Sequence, residues 1–270
     1  MTHEPLIRLC AFVAVLLAMA AWETLAPRRK RTVGRAARWP SNIGVVIVNT
    51  ALLRLILPAG AVGFALLCAA RGWGFFNAMH VPIWLTILPS VVILDFVIYL
   101  QHVMFHAVPI LWRVHRMHHA DLDFDVTTGI RFHPVEIVIS MGIKLAAVAL
   151  FGTPAAGVLA FEVLLNATSM FNHSNIDIPT GRDAILRMFV VTPDMHRVHH
   201  SIVVRETNSN FGFNLPWWDR LLGTYRAQPE AGHDAMTIGI EQFREAGELR
   251  LDRMLTQPWR GGPGAYAING

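Results

Sequence analysis

The chain has 270 residues, of which 53% are hydrophobic and only 16% charged, whereas soluble domains usually carry about a quarter charged residues; with a mean hydropathy of +0.41, an ordinary water-soluble globule is excluded. The formal net charge is +4, but the six basic residues Arg28, Arg29, Lys30, Arg31, Arg35 and Arg38 alone exceed it, so the basic balance is a juxtamembrane, lipid-facing feature and not a nucleic-acid footprint. The two cysteines, Cys10 and Cys68, both sit in apolar runs, which excludes a disulfide framework and a cysteine-rich metal site.

The first apolar run, Leu6 to Ala26, ends at Pro27-Arg28-Arg29-Lys30-Arg31. A signal peptide carries its positive charge before the apolar core, so this run reads as an anchor. With its basic loop it forms an N-terminal unit, 1–42. A membrane-embedded catalytic domain, 43–260, and a flexible tail, 261–270, opening with Gly261-Gly262-Pro263-Gly264, complete the expected organisation. The second run, Ile43 to Ala70, is interrupted by Arg54 and Pro58 and is either one kinked span or a re-entrant pair. The third, Val81 to Val103, has Asp95 as its only formal charge. The fourth and fifth, Ile137 to Phe151 and Pro154 to Phe171, lie near or below the ~20 residues that cross a bilayer and form a hairpin through Gly152-Thr153-Pro154. The expected fold is all-α: a polytopic integral membrane protein with about four transmembrane helices and a cytosolic or interfacial helical cap.

The segment 27–42 carries those six basic residues and no acid, whereas 71–80 has Arg71 alone. The positive-inside rule places the first in the cytoplasm. Counting spans from there puts the end of the third run, and everything from His173 onward, on the same side.

Ten of the thirteen histidines lie between His102 and His200. Eight form three clusters, His102-x-x-x-His106, His115-x-x-His118-His119 and His196-x-x-His199-His200. Residues three and four apart share a helix face, so each cluster can aim its imidazoles at one point. Imidazole selects transition metals over magnesium or calcium, and because one zinc-like ion takes about four ligands, two ions in one nest is the economical reading. His3, His80 and His233 read as ordinary residues. His133 and His173 are evenly poised between ligand and structural roles. None of the clusters has the His-Glu-x-x-His of a zinc protease, since Val103, Arg116 and Arg197 follow the leading histidines.

Asp95 stacks with His102 and His106 on one helix face. It is expected to accept the outer N–H of a ligand histidine, with a structural pairing to Arg54 as the alternative. The segment Leu111 to His119 mixes apolar and basic residues and suggests a helix in the membrane interface, with Trp112 and Arg113 at that depth. Asp121, Asp123 and Asp125 read as a solvated cytosolic loop. Asp194 reads as an N-cap with Met195 starting the helix. Trp217 and Trp218 suit docking on the bilayer, a lid over the metals, or core packing.

Five stretches carry a resemblance: DFVIYLQHVMFH at 95–106, LWRVHRMHH at 111–119, DVTTGIRFHP at 125–134, TPDMHRVHHS at 192–201 and NFGFNLPWWDRLLGTY at 210–225. In these motifs the chain resembles the fatty acid hydroxylase and sterol desaturase superfamily of membrane non-haem di-iron enzymes. The resemblance implies two irons held by His102, His106, His115, His118, His119, His196, His199 and His200, with His133 and His173 where family members carry further histidines. It implies oxygen as co-substrate and attack on an unactivated C–H bond of a lipid, with hydroxylation, desaturation and ether cleavage all open. The chain has no Gly-rich dinucleotide fingerprint and no cysteine cluster, and His133-Pro134 continues as Val135-Glu136 and not as a haem-binding Gly-Gly. No bound flavin, haem or nicotinamide is therefore expected, and electrons come from a separate ferredoxin, rubredoxin or cytochrome. The expected location is a bacterial inner membrane with the site facing the cytoplasm. The competing readings are a histidine-rich metal transporter or sensor, which would string ligands through the spans, and a zinc-dependent lipid hydrolase.

Overall fold

The computed structural model describes residues 3–268. Helix α1 (Glu4–Leu25) has Pro5 in its first turn, where the missing N–H costs nothing. Helix α2 (Arg35–Ile56) stops before Pro58, and α3 (Gly60–Ala70) resumes from Gly60 at φ +61°. The amides of Leu57 and Gly60 still reach the carbonyls of Leu53 and Leu57, so the second apolar run is the kinked stretch and not a re-entrant pair. A single turn, α4 (Phe75–Ala78), precedes the 25-residue α5 (Ile83–Ala107). Pro109 opens α6 (Pro109–His119), and Pro134 opens α7 (Pro134–Phe151). Gly152, left-handed at φ +68°, turns the chain into α8 (Ala155–Asn172). A β-carbon on Gly74 would lie 2.1 Å from the Gly152 amide nitrogen, so two glycines are what let the outer loop close over this hairpin.

Among the described residues five helical stretches are long and apolar enough to cross a membrane: α1, the kinked stretch Arg35–Ala78, α5, α7 and α8. The count is one above the expected four because α7 and α8 each reach 18 residues. Leu6, Leu9, Leu17 and Leu25 of α1, Leu55 of α2 and Trp84 and Leu88 of α5 are exposed, the pattern of a lipid-facing belt. The chain is an integral membrane protein. Between the helices, Ala61, Ala65 and Cys68 of α3, Leu94 and Ile98 of α5, Ala147 and Val148 of α7 and Val158 and Phe161 of α8 form one buried cluster.

The rest forms a cap of short helices, including α9 (Thr180–Leu186) and α10 (Pro193–His199). No named strand occurs among the described residues; Pro27 with Ile176 and Ser201 with Ile238 make isolated bridges. Three expectations are corrected here. First, Asp121, Asp123 and Asp125 are buried: Arg38 donates to Asp121 and to Asp125 at 2.6 Å each, and Asp123 accepts from the amides of Thr32 and Val33. A guanidinium entering from α2 removes the cost that sends aspartates to solvent.

Second, α6 does not lie with Trp112 in the interface. Trp112 is fully buried and stacks on Tyr266 at 5.8 Å, and Arg116 donates to the carbonyls of Gln257, Arg260 and Gly262. Third, the expected flexible tail packs as far as Ile268. The Tyr266 hydroxyl donates to the Ile202 carbonyl and accepts from the Glu241 amide, Trp112 Nε1 donates to the Pro263 carbonyl, and the Ile268 amide donates to the His106 carbonyl. Residues 269 and 270 of that tail lie outside the described residues.

Candidate metal centre

Nine buried histidines gather where α5, α6, α8 and α10 meet, in two sets whose ligating atoms lie within 4.8 Å of one another. His102, His106, His115, His119 and His199 form one; His118, His173, His196 and His200 form the other. The two His-x-x-His-His clusters divide in opposite senses. In α6 the i, i+4 pair His115 and His119 serves the first set and His118 the second; from α10 the pair His196 and His200 serves the second and His199 the first. Neighbouring residues on a helix point about 100° apart, so a cluster placed between two ions feeds both.

Five of the nine outer ring nitrogens are held by acceptors, and those of His118, His119, His196 and His200 have no hydrogen-bond partner. Nδ1 of His102 donates to the Phe211 carbonyl at 2.7 Å, that of His106 to Asn208 Oδ1 at 3.0 Å, that of His115 to Glu136 Oε1 at 2.7 Å, that of His173 to the Ser169 carbonyl at 2.7 Å and that of His199 to the Ser209 carbonyl at 2.7 Å. Each of these five rings therefore turns an unprotonated Nε2 inward. Around His173 Nε2, the Nε2 atoms of His118, His196 and His200 each lie at 3.1 Å. In the first set His115 Nε2 lies 3.1 Å from His102 Nε2 and 3.2 Å from His119 Nε2. Between His102 and His115, whose Nδ1 atoms are both tied to acceptors, two lone pairs face each other at that range, and a shared cation would relieve them. Four nitrogens around an ion at about 2.1 Å would sit about 3.4 Å apart, so the residues fit two transition-metal ions.

Burial, with other histidines as neighbours, drives His118, His119, His196, His199 and His200 well below the usual imidazole range. Burial likewise brings His173 down to about 3, against the opposing pull of its bond to Ser169. Neutral imidazole is the ligating form. Backbone packing is tight beside it: a β-carbon on Gly129 would fall 2.4 Å from the Ser169 carbonyl oxygen that holds His173.

Eight clustered histidines and His173 are thus brought together; His133 is not. It caps α7, accepting from the Val135 amide at 3.1 Å, with Nε2 against the Leu255 carbonyl. The expectation for Asp95 is also corrected. Its carboxylate accepts from the amides of Asn214 and Leu215 and from Trp218 Nε1, and bonds neither a histidine nor Arg54. It ties down the segment that includes Phe211, whose amide is itself held by Asp219. Trp218 is thereby a packing residue, while Trp217 remains half exposed. Asp194 is not the N-cap of α10: Thr192 accepts from the Met195 amide, and Asp194 pairs with Arg197 and Arg28. Glu136, Asn208 and the carbonyls of Ser169, Ser209 and Phe211 were not legible as partners, since backbone oxygens leave no sequence signal and Glu136 lies 21 residues from His115 with no spacing that links them.

A cavity of about 270 Å³ runs among α1, α2, α5, α7 and α8 to His102 and His115. At its other end Glu162 accepts from Lys144 at 2.6 Å and from Arg8 at 2.5 Å. Arg8 is one-third exposed, so this end of the cavity lies near the surface of the helix bundle.

Two sets of buried imidazoles at the end of apolar helices, with a cavity leading to them, define a membrane protein with two candidate metal-binding sets. The fatty acid hydroxylase family model matches residues 87–224, just over half of the chain, and the chain belongs to that family. It is 32% identical over 159 residues to an ornithine lipid hydroxylase of Rhizobium tropici, covering 59% of this chain and 46% of the relative. It is 31% identical over 150 residues to the alkylglycerol monooxygenase of Homo sapiens, covering 55% and 32%, and 25% identical over 164 residues to the cholesterol 25-hydroxylase of Rattus norvegicus, covering 60% and 53%. The chain therefore spans about half or less of the curated relatives it matches. No solved structure matches it.

Proposed function

We propose that the chain is a membrane oxidoreductase that uses two irons, dioxygen and external electrons to hydroxylate a C–H bond of a lipid. The observation that carries this is the nest itself: nine buried histidines in two sets, reached by a cavity among the helices. His102, His106, His115, His119 and His199 would hold one iron, and His118, His173, His196 and His200 the other. When bound, iron supplies the redox chemistry with dioxygen that zinc lacks. In the overall reaction one oxygen atom enters the C–H bond as an alcohol; the other leaves as water, which takes two electrons from a separate ferredoxin, rubredoxin or cytochrome and two protons from solvent.

The chain's own residues orient and exclude. Glu136, Asn208 and the three carbonyls fix which nitrogen of His102, His106, His115, His173 and His199 faces inward, and partners of this kind tune ligand basicity. Asp95 and Asp219 position the Phe211 segment against His102. The cavity delivers one part of a lipid to the nest and keeps bulk water away. The basic segment 28–38 supports a cytoplasmic orientation of the nest, in a bacterial inner membrane. A transporter is disfavoured because the ligands converge at one end of the helices. His118→Ala or His199→Ala is expected to abolish lipid oxidation while membrane insertion persists, measured as oxygen uptake and product formation. Full activity in either variant would remove that residue from the ligand shell.

A further inference from the structure

Two rings of the first set are held by adjacent residues. Nδ1 of His106 bonds Asn208 Oδ1 at 3.0 Å, and Nδ1 of His199 bonds the Ser209 carbonyl at 2.7 Å. An asparagine can turn either its oxygen or its NH2 group to an imidazole, and that choice decides the tautomer of the ring. Here the choice is made by a third residue: Asn208 Nδ2 lies 3.0 Å from the Tyr266 carbonyl, which can only accept. The NH2 group must therefore face Tyr266 and the oxygen must face His106, so the His106 proton sits on Nδ1. Nε2 of His106, buried and without a protein partner, is left with its lone pair for an ion.

Tyr266 belongs to a segment, 263–268, that packs over the first set at three further points. The Ile268 amide donates to the His106 carbonyl at 2.9 Å. The Pro263 carbonyl accepts from Trp112 Nε1 at 2.9 Å, and the Tyr266 ring stacks on the Trp112 indole at 5.8 Å. Trp112 in turn packs against His106 at 4.8 Å and His119 at 5.2 Å between ring centroids. Both of these histidines belong to the first set. The rings of the second set pack instead on Phe124, Phe132 and Phe213. The segment also lies beyond residue 224, where the match to the family model ends.

We propose that residues 263–268 are a positioning strap for the first metal set: through the Tyr266 carbonyl and Asn208 they fix the tautomer of His106, and through Trp112 they hold His106 and His119. Ion binding in the first set therefore depends on the docked strap, and ion binding in the second does not. Asn208 and Tyr266 are positioning residues that act through His106. This rests on the two-ion part of the oxygenase reading. Linkage is reciprocal, so an ion in the first set favours the docked strap by as much as docking favours the ion.

The test is ferrous iron binding to the full chain in lipid nanodiscs without oxygen. His173→Ala with His200→Ala disables the second set, His102→Ala with His115→Ala disables the first, and Tyr266→Ala is added to each background. Where only the first set remains, Tyr266→Ala should weaken iron binding about 10- to 100-fold. Where only the second remains, it should leave the affinity unchanged. Tyr266→Phe keeps the ring on Trp112 and the carbonyl on Asn208, and should recover most of the loss. A second measurement needs no metal: nitrogen NMR of the imidazoles should find the His106 proton on Nδ1 in the parent chain and spread over both nitrogens in Asn208→Leu and Tyr266→Ala. Equal weakening of both sets, an unchanged first set, or a His106 tautomer indifferent to both changes would overturn the proposal. If no background binds iron while the His106 tautomer follows Asn208 and Tyr266, the two-ion reading fails and the positioning of His106 stands. If the parent chain binds two irons and neither measurement responds to Tyr266→Ala, the strap assignment fails and the two-ion reading stands.

Discussion

At the scale of single residues, the metal nest is controlled by groups one bond away from it. Glu136 Oε1 accepts a hydrogen bond from His115 Nδ1 at 2.7 Å, whereas His133, three residues earlier, only caps α7. Glu136→Ala is therefore expected to weaken metal retention by about 10- to 100-fold. His133→Ala should keep both ions and cost only about 1 kcal/mol of cap energy. Iron stoichiometry after dialysis, with thermal unfolding of the same samples, checks both; loss of one iron in His133→Ala would contradict the assignment.

The buried imidazoles also set a pH dependence. His173, held near 3 by burial, and His233, brought to about 4 by burial and the neighbouring arginines despite Asp194, stay neutral in the fold. Unfolded, each would take up a proton near pH 6.5. Their stabilising effect is complete above that value and is lost as pH falls towards 4 and then 3. The metal-free protein should thus lose melting temperature from about pH 6.5 downward. A melting temperature constant between pH 7 and 4.5 would contradict this.

At the scale of elements, α2 and the segment after α6 are joined by one buried arginine. Burial would raise the Asp121 carboxyl, but Arg38 and Arg131 beside it bring it down to about 2. Its contribution is present above about pH 4 and fades only towards pH 2, so any decline at pH 5 to 6 belongs to the histidines. Arg38→Met leaves Asp121 and Asp125 buried without their cation. It should cost about 3–5 kcal/mol, read as a loss of melting temperature, and the added changes Asp121→Asn and Asp125→Asn should recover part of it. An unchanged melting temperature in Arg38→Met would show the cage to be dispensable. This cage was hidden in the sequence because its two sides lie over eighty residues apart. Alone, an aspartate-rich stretch reads as solvated. The segment around Trp112 misled for the same reason: its apolar and basic mix fits an interface until Tyr266 and the carbonyls of 257–262 come to cover it.

At the scale of the whole molecule, the helices and most of the nest were legible because both rest on local periodicity. Apolar runs pointed to the spans, and three- and four-residue spacings pointed to eight of the nine histidines that gather. His173 was even odds from the residues alone and entered the site through the resemblance; its place in the second set comes from three imidazoles that arrive from α6 and α10. What spacing could not show was long-range: which oxygen holds each ring, and where Asp95 bonds. The central claim is that this frame holds two irons that act with dioxygen on a lipid. The most direct measurement is metal content and lipid-dependent oxygen uptake on one preparation of the protein, purified without chelator and supplied with reductant. The account predicts two irons per chain and uptake that requires both. A single zinc per chain, with no oxygen consumed under any reductant, would contradict it.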